Sequence, residues 1–154
     1  MLQHIFKYML QHIIYIMIRL IEHNDYKRFV KLIDTNVNKN DFELFVNNLN
    51  SNRHIIVVYE KDNQLIGTGS LIIEAKLTYN ISYLGHVENI FVDEMHRNKG
   101  IGKQIVENLV NYAKEKLCYR IDLACDSKLI NFYKSLGFNK QLICMSMLIE
   151  ENFK

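Results

Sequence analysis

Glu88-Asn89-Ile90-Phe91-Val92, followed four residues later by Arg97-Asn98-Lys99-Gly100-Ile101-Gly102-Lys103, decides how the chain is read. The first stretch ends a strand predicted over Gly85–Val92. Asp93–Lys99 is loop-like. Ile101, Ile105, Leu109, Ala113 and Leu117 then form one stripe of a helix over Gly100–Leu117. Backbone N–H groups at such a strand-to-helix turn point outward, with the positive end of the helix behind them. Glycine lets an anion approach closely, so the loop suits a pyrophosphate, and Lys99 and Lys103 add charge at its rim. It is neither the GxGxxG dinucleotide fingerprint nor a GxxxxGK[ST] phosphate loop. Taken alone, it also reads as an ordinary helix start that holds two glycines.

Outward from this stretch, the chain alternates strands and helices. On the N-terminal side, Ile18–Ile21 is a short strand. Asn24 or Asp25 caps a helix carrying Tyr26, Phe29, Val30 and Ile33, and Asp41 caps a second with Phe42, Phe45, Val46 and Leu49. Asp34–Asn40 between them reads as a loop. Ile55–Tyr59 and Leu65–Glu74 are strands joined by a turn at Lys61–Gln64, and Thr78–Ser82 is a polar connection. Beyond the long helix come a strand at Ile121–Ala124, a helix over Ser127–Leu136 stopped by Gly137, and a closing strand at Leu142–Ile149. Strands on both sides of the long helix imply a β-α-β crossover.

The 154 residues suffice for one domain that buries its own core. Apolar residues at 49% and charged residues at 23% argue against disorder, and a net charge of +2 argues against a nucleic-acid footprint. Cys118, Cys125 and Cys144 form no CxxC pair, which leaves reduced, buried thiols in a cytoplasmic protein and no metal site. Residues 1–16 repeat themselves as LQHIFKYM and LQHIIYIM. His4, Lys7, Gln11 and His12 interrupt that apolar run, so it is not a membrane span, and no small-residue cleavage site marks it as a signal peptide. We take residues 1–16 as an N-terminal extension and 17–154 as the domain.

The order strand, RNKGIG loop, helix, strand and Asn131-Phe132-Tyr133-Lys134-Ser135-Leu136-Gly137-Phe138 resembles the GNAT superfamily of acetyl-CoA-dependent N-acetyltransferases. Ile73–Lys76, Gly85–Ile90 and Leu117–Cys125 are similar to one branch, the glucosamine 6-phosphate N-acetyltransferases of UDP-N-acetylglucosamine synthesis. The resemblance implies an α/β fold with a mixed sheet of six to seven strands and about four helices, and a homodimer. It implies direct transfer of acetyl from acetyl-CoA to the amine of glucosamine 6-phosphate, with coenzyme A released. The alternatives are another amino sugar or small amine as acceptor, or an acyl-CoA-binding module without catalysis.

The same resemblance assigns roles. Backbone groups of Ile90, Phe91 and Val92 hold the pantetheine arm, and an N–H there stabilises the oxyanion of acyl transfer. Arg97, Asn98, Lys99, Gly100, Ile101, Gly102 and Lys103 hold the pyrophosphate. Tyr133 contacts the coenzyme and protonates the departing thiolate, because a phenol of pKa about 10 suits a thiolate of pKa about 8.5. Glu88 contacts the amino sugar and helps to take the ammonium proton. Lys76, Tyr79, Asn89, Tyr119 and Arg120 complete the acceptor site, where a phosphate ester needs cationic donors. The chain departs from the branch pattern at Asn89 and Ala124, each Asp there, at Leu129 or Ile130, where an Asn opens the Phe-Tyr motif, and at Leu148, where an Arg grips the phosphate. All four departures touch the acceptor rather than the coenzyme.

Overall fold

The structure, a computed structural model, describes residues 16–49 and 52–149; of Ile16 and Tyr79 it describes the backbone alone. The N-terminal extension lies almost wholly outside the described residues. The chain divides into two compact units, Met1–Leu123 and Ala124–Lys154.

The first unit is a five-stranded sheet in the order β1-β2-β3-β4-β5 with helices on both faces. β1 (Ile16–Leu20), β2 (His54–Lys61), β3 (Gln64–Lys76) and β4 (Ser82–Val92) are antiparallel neighbours, and β5 (Cys118–Asp122) lies parallel to β4. Asp62 and Asn63, at φ +49° and +62°, form the two-residue turn that joins β2 to β3. A single helical turn, Thr78–Ile81, fills the polar connection before β4.

α1 (Tyr26–Ile33) and α2 (Lys39–Asn48) cover one face, where Ile21, Phe42, Ile56, Val58 and Leu65 are buried with Tyr26 and Phe29 against them. α3 (Ile101–Glu115) covers the other, burying Ile101, Ile105, Leu109 and Ala113 against Val57, Ile66, Leu71 and Val87. Two glycines allow that approach. A Cβ on Gly67 would stand 2.8 Å from Ile105 Cδ1, and one on Gly69 would stand 2.6 Å from Ile90 Cδ1 and 2.7 Å from Ile105 Cγ2.

In the second unit, one 3₁₀ turn (Ser127–Leu129) leads into α4 (Ile130–Ser135). Gly137, at φ +92°, ends it, with the Phe138 N–H donating to the Tyr133 carbonyl.

Several expectations need correction. α2 starts three residues earlier than expected, and Asn38, not Asp41, is its cap: the Asn38 carboxamide oxygen accepts the Asp41 N–H at 2.9 Å. Asp25 stands at the N-cap of α1, one of the two expected positions, but its side chain makes no bond to that helix, because Arg19, Arg28 and the Glu22 N–H occupy its carboxylate. Leu117 falls outside the helical stripe; α3 has ended, and the side chain is 79% exposed at φ +58°. The strand after α3 begins at Cys118, earlier than expected, because that residue is already in register with Tyr83 of β4. Five strands, rather than six or seven, are present among the described residues. Leu142–Ile149 has no strand partner there, and Met145 is 92% exposed. Cys125 and Cys144 are exposed rather than buried, since no core surrounds them; Cys118 is half-buried, and burial pushes its thiol up. No helix among the described residues is long and apolar enough to cross a membrane.

A four-charge cluster ties β1, α1 and β2 together. Arg19 donates to both oxygens of Asp25 at 2.7 and 2.8 Å and to Glu60 at 2.6 Å, while Arg28 reaches Glu60 at 3.0 Å and Asp25 at 2.5 Å. Asp25 is fully buried. Burial alone would raise its pKa, but the hydrogen bonds from Arg19 and the Glu22 N–H, with both guanidinium charges, hold it below its ordinary value. Glu60 is held down in the same way. Depressed carboxylates contribute stability above their ordinary range and lose it as pH falls through the lower native value. Asp25→Asn is therefore expected to cost about 3–5 kcal/mol at pH 7. In urea melts at stepped pH, the gap from the parent chain should shrink below about pH 4.

Candidate functional site

β4 carries two irregularities that open the sheet. Its pairing with β5 runs only from Tyr83 to His86, so Val87–Val92 has no strand on that side among the described residues. Its pairing with β3 slips between Ser70↔Glu88 and Thr68↔Phe91, which sets Asn89 and Ile90 together opposite Gly69. Asn89 stands at φ +53°, a left-handed conformation that Asn tolerates better than most residues. The bulge resets the alternation. Val87 faces α3, and so do Ile90 and Val92, whereas Glu88 lies exposed on the opposite face. A strand with one bare side offers its N–H and C=O groups to an extended ligand.

The loop after β4 leads into the N-terminus of α3. Gly100, at φ +79°, has nothing within 4 Å of where a Cβ would lie, and Asn98 is also left-handed at φ +61°. The Gly100 carbonyl accepts the Gln104 N–H at 3.1 Å, so the N–H groups of Ile101, Gly102 and Lys103 remain outside the helix's own bonding. This open, donor-lined helix start fits a pyrophosphate. Two cations of the loop are exposed but bonded to the loop's own groups: Arg97 Nε donates to the Val92 carbonyl at 3.0 Å and its Nη1 to Glu94 at 3.3 Å, and Lys99 Nζ donates to the Met95 carbonyl at 2.9 Å. Lys103 lies 3.8 Å from Glu107.

The face of the sheet that carries α1 and α2 has two halves. On one, a cleft of about 570 Å³ runs between those helices and the bulge, lined by Phe29, Ile33, Val37, Phe42 and Phe45 and floored by Thr68–Ser70 and Asn89–Phe91. The other half is a charged strip formed by alternate residues of three strands: Glu74 and Lys76, His86 and Glu88, Arg120 and Asp122. Glu74 accepts from Lys76 at 2.6 Å and from His86 at 3.0 Å, and these two donors hold its carboxyl below its ordinary value. Arg120 pairs with Asp122 at 2.9 Å and lies over the Tyr119 ring. The structure thus brings Glu88, Asn89 and Ile90–Val92 together at the bulge. Lys76 and Arg120 face Ser82 and Leu84 in the register. Glu88 lies four steps along β4 from Leu84, about 13 Å. The Tyr79 side chain lies outside what is described.

Tyr133 belongs to the second unit. It is 8% exposed, with Phe132 and Phe138 edge-on to its ring at 4.9 and 5.9 Å. Burial, then the charge of Cys125, pushes its phenol up, which keeps the proton on it at neutral pH. The apolar cleft escaped sequence reasoning because its walls read as ordinary core positions of α1 and α2. The bulge did leave a signal: Val87-Glu88-Asn89-Ile90 places two polar residues where strict alternation allows one.

The model of the acetyltransferase (GNAT) family matches residues 17–138. A Drosophila melanogaster protein named probable glucosamine 6-phosphate N-acetyltransferase is 34% identical over 130 residues, covering 79% of this chain and 59% of that protein. An Arabidopsis thaliana glucosamine 6-phosphate N-acetyltransferase is 36% identical over 95 residues, covering 60% of this chain and 64% of its own. The chain thus spans less than two thirds of the length of either relative. The crystal structure of glucosamine-6-phosphate N-acetyltransferase from Arabidopsis thaliana superposes with a TM-score of 0.84 at 29% identity, covering 88% of this chain and 99% of that one.

Because Asn89 is left-handed, Asn89→Val is expected to destabilise the first unit by about 1–2 kcal/mol, whereas Asn89→Gly should be tolerated. Urea midpoints of the two variants, compared with the parent, check this.

Proposed function

The chain belongs to the GNAT family of acetyltransferases, and from that membership we propose that it transfers acetyl from acetyl-CoA to the amine of glucosamine 6-phosphate. The observation that carries this reading is the bare, bulged end of β4 running through a glycine loop into the N-terminus of α3. That arrangement supplies an extended backbone edge for a pantetheine arm and N–H donors for a pyrophosphate. The names of the relatives supply the acceptor.

Acetyl-CoA, when bound, supplies the acetyl group as an activated thioester. The residues of the chain bind and orient it. Backbone groups of Ile90, Phe91 and Val92 line the thioester arm, where an N–H polarises its carbonyl. The open turn Arg97–Lys103 takes the pyrophosphate. Glu88, exposed beside the bulge, takes the ammonium proton directly or through water. Tyr133, assigned from its sequence motif, donates a proton to the departing sulfur, and its raised pKa supports an acid rather than a base. Lys76, Tyr79, Asn89, Tyr119 and Arg120 form the acceptor side, with Lys76 and Arg120 toward the phosphate. Both cations carry carboxylate partners that a phosphate must displace or share.

The reading includes a homodimer. Leu142, Ile143, Met145 and Met147 are exposed, and among the described residues β5 closes the sheet with one neighbour. A sixth strand supplied between copies satisfies both needs. Size-exclusion chromatography with light scattering should give twice the chain mass, and a chain ending at residue 141 should run as a monomer.

Purified protein with acetyl-CoA and glucosamine 6-phosphate is expected to release free thiol, and glucosamine without phosphate should be a much poorer acceptor. Tyr133→Phe should lower kcat about 10²–10⁴-fold with little effect on coenzyme A binding. Coenzyme A binding without turnover of the phosphorylated sugar would send the acceptor assignment to another amine.

A further inference from the structure

We propose that His86, held by Glu74, reads a ring hydroxyl of the acceptor sugar between its amine and its phosphate. The inference rests on the reading above, in which the amine lies at Glu88 and the phosphate toward Lys76 and Arg120.

The register supplies the place. On β4, His86 lies midway along the charged strip: Glu88 is two residues toward the bulge, and Leu84, in register with Arg120, is two residues the other way. Each of these steps spans about 7 Å. A hexosamine phosphate laid along β4, with its amine at one end and its phosphate at the other, therefore passes its ring over His86. The 3- and 4-hydroxyls occupy the ring edge that runs between those two groups.

The hydrogen bonds supply the chemistry. Glu74 Oε2 lies 3.0 Å from His86 Nε2, while Glu74 Oε1 accepts from Lys76 Nζ at 2.6 Å. These two donors hold the Glu74 carboxyl below its ordinary value, so it is ionised at neutral pH and can only accept. The proton between Glu74 and His86 therefore belongs to Nε2, which in the neutral ring leaves Nδ1 as an acceptor. Nδ1 has no hydrogen-bond partner among the described residues and is not buried. Asp122, in register with His86 on β5, is taken by Arg120 at 2.9 Å. The His86 side chain is 32% exposed, so the ring is fixed across β3 and β4 yet open to a ligand. An open acceptor atom suits a sugar hydroxyl, which can donate. It does not suit a phosphate oxygen. Glu74 acts through His86 as a positioning residue.

Steady-state kinetics of the full chain with glucosamine 6-phosphate and its 3-deoxy and 4-deoxy analogues test this. One analogue is expected to show a KM about 3–10-fold above that of the intact sugar, with the KM for acetyl-CoA unmoved. His86→Phe should raise the KM of the intact sugar by a similar factor and erase its advantage over that analogue. His86→Ala should do the same and stands in if the larger ring is not accommodated. His86→Gln, whose carboxamide oxygen can accept, should restore part of the advantage. Glu74→Ala should weaken the same discrimination, whereas Glu74→Gln, which still accepts from Nε2, should keep most of it. A merely structural role for Glu74 would change stability and leave this ratio alone. Equal KM values for all three sugars in the parent chain overturn the inference, as does a discrimination that survives in His86→Phe or His86→Ala. No thiol release with the intact sugar overturns the acceptor reading, and this inference with it.

Discussion

The contact between α3 and the glycines of β3 governs the rest of the first unit. Gly67 and Gly69 leave hollows that Ile105 fills, so the helix sits closer to the sheet than any side chain on those positions would permit. Close packing makes such a contact nearly incompressible. The position of α3 therefore fixes the position of its N-terminus, and with it the open turn at Gly100. Ile90, pressed against Gly69, links the same contact to the bulge. The two features that address an extended anionic ligand, the bare edge of β4 and the helix start, are thus held by one packing interaction.

The bulge divides the sheet into regions of opposite chemistry. Below it, alternation places Glu74, Lys76, His86, Glu88, Arg120 and Asp122 on one face, each within reach of an opposite charge or of solvent. Above it, the added residue turns the strand beneath α1 and α2, where aromatic side chains make an apolar wall. Asn89 suits the left-handed backbone of the bulge. Asn adopts that conformation readily, and it brings no second negative charge beside Glu88. Lys76 and Arg120, several residues away along the strands, can face a phosphate only if the acceptor spans much of the strip.

Much of this was legible from the residues, and what was missed follows a rule. Ile55–Tyr59, Lys61–Gln64 and the stripe Ile101–Ala113 act through neighbours close in sequence, and each formed where its pattern placed it. The cap of α2 was displaced because Asn38 and Asp41 are both competent, and the choice depends on where the backbone turns. The cluster of Arg19, Asp25, Arg28 and Glu60 left no local trace, since Arg19 and Glu60 stand 41 residues apart. Leu142–Ile149 has the composition of a strand, but composition specifies a face and not a partner. The glycine loop was found through its backbone requirement, whereas the cleft was hidden among residues that any core would use.

The cations of the loop show how such a site separates shaping from binding. Arg97, Lys99 and Lys103 suggest, from sequence, three charges aimed at an anion. In the structure Arg97 bonds to the end of β4 and Lys99 to the 3₁₀ turn Glu94–His96, so both hold the loop in shape. Lys103, at 3.8 Å from Glu107 and more than half exposed, contributes little by pairing. The donors that remain are backbone N–H groups, whose positions are set by the helix and cost no side-chain entropy to hold. An anion bound in this way is recognised by shape and by aligned dipoles. That suits a pyrophosphate, whose oxygens can take several N–H donors at once, better than a single carboxylate.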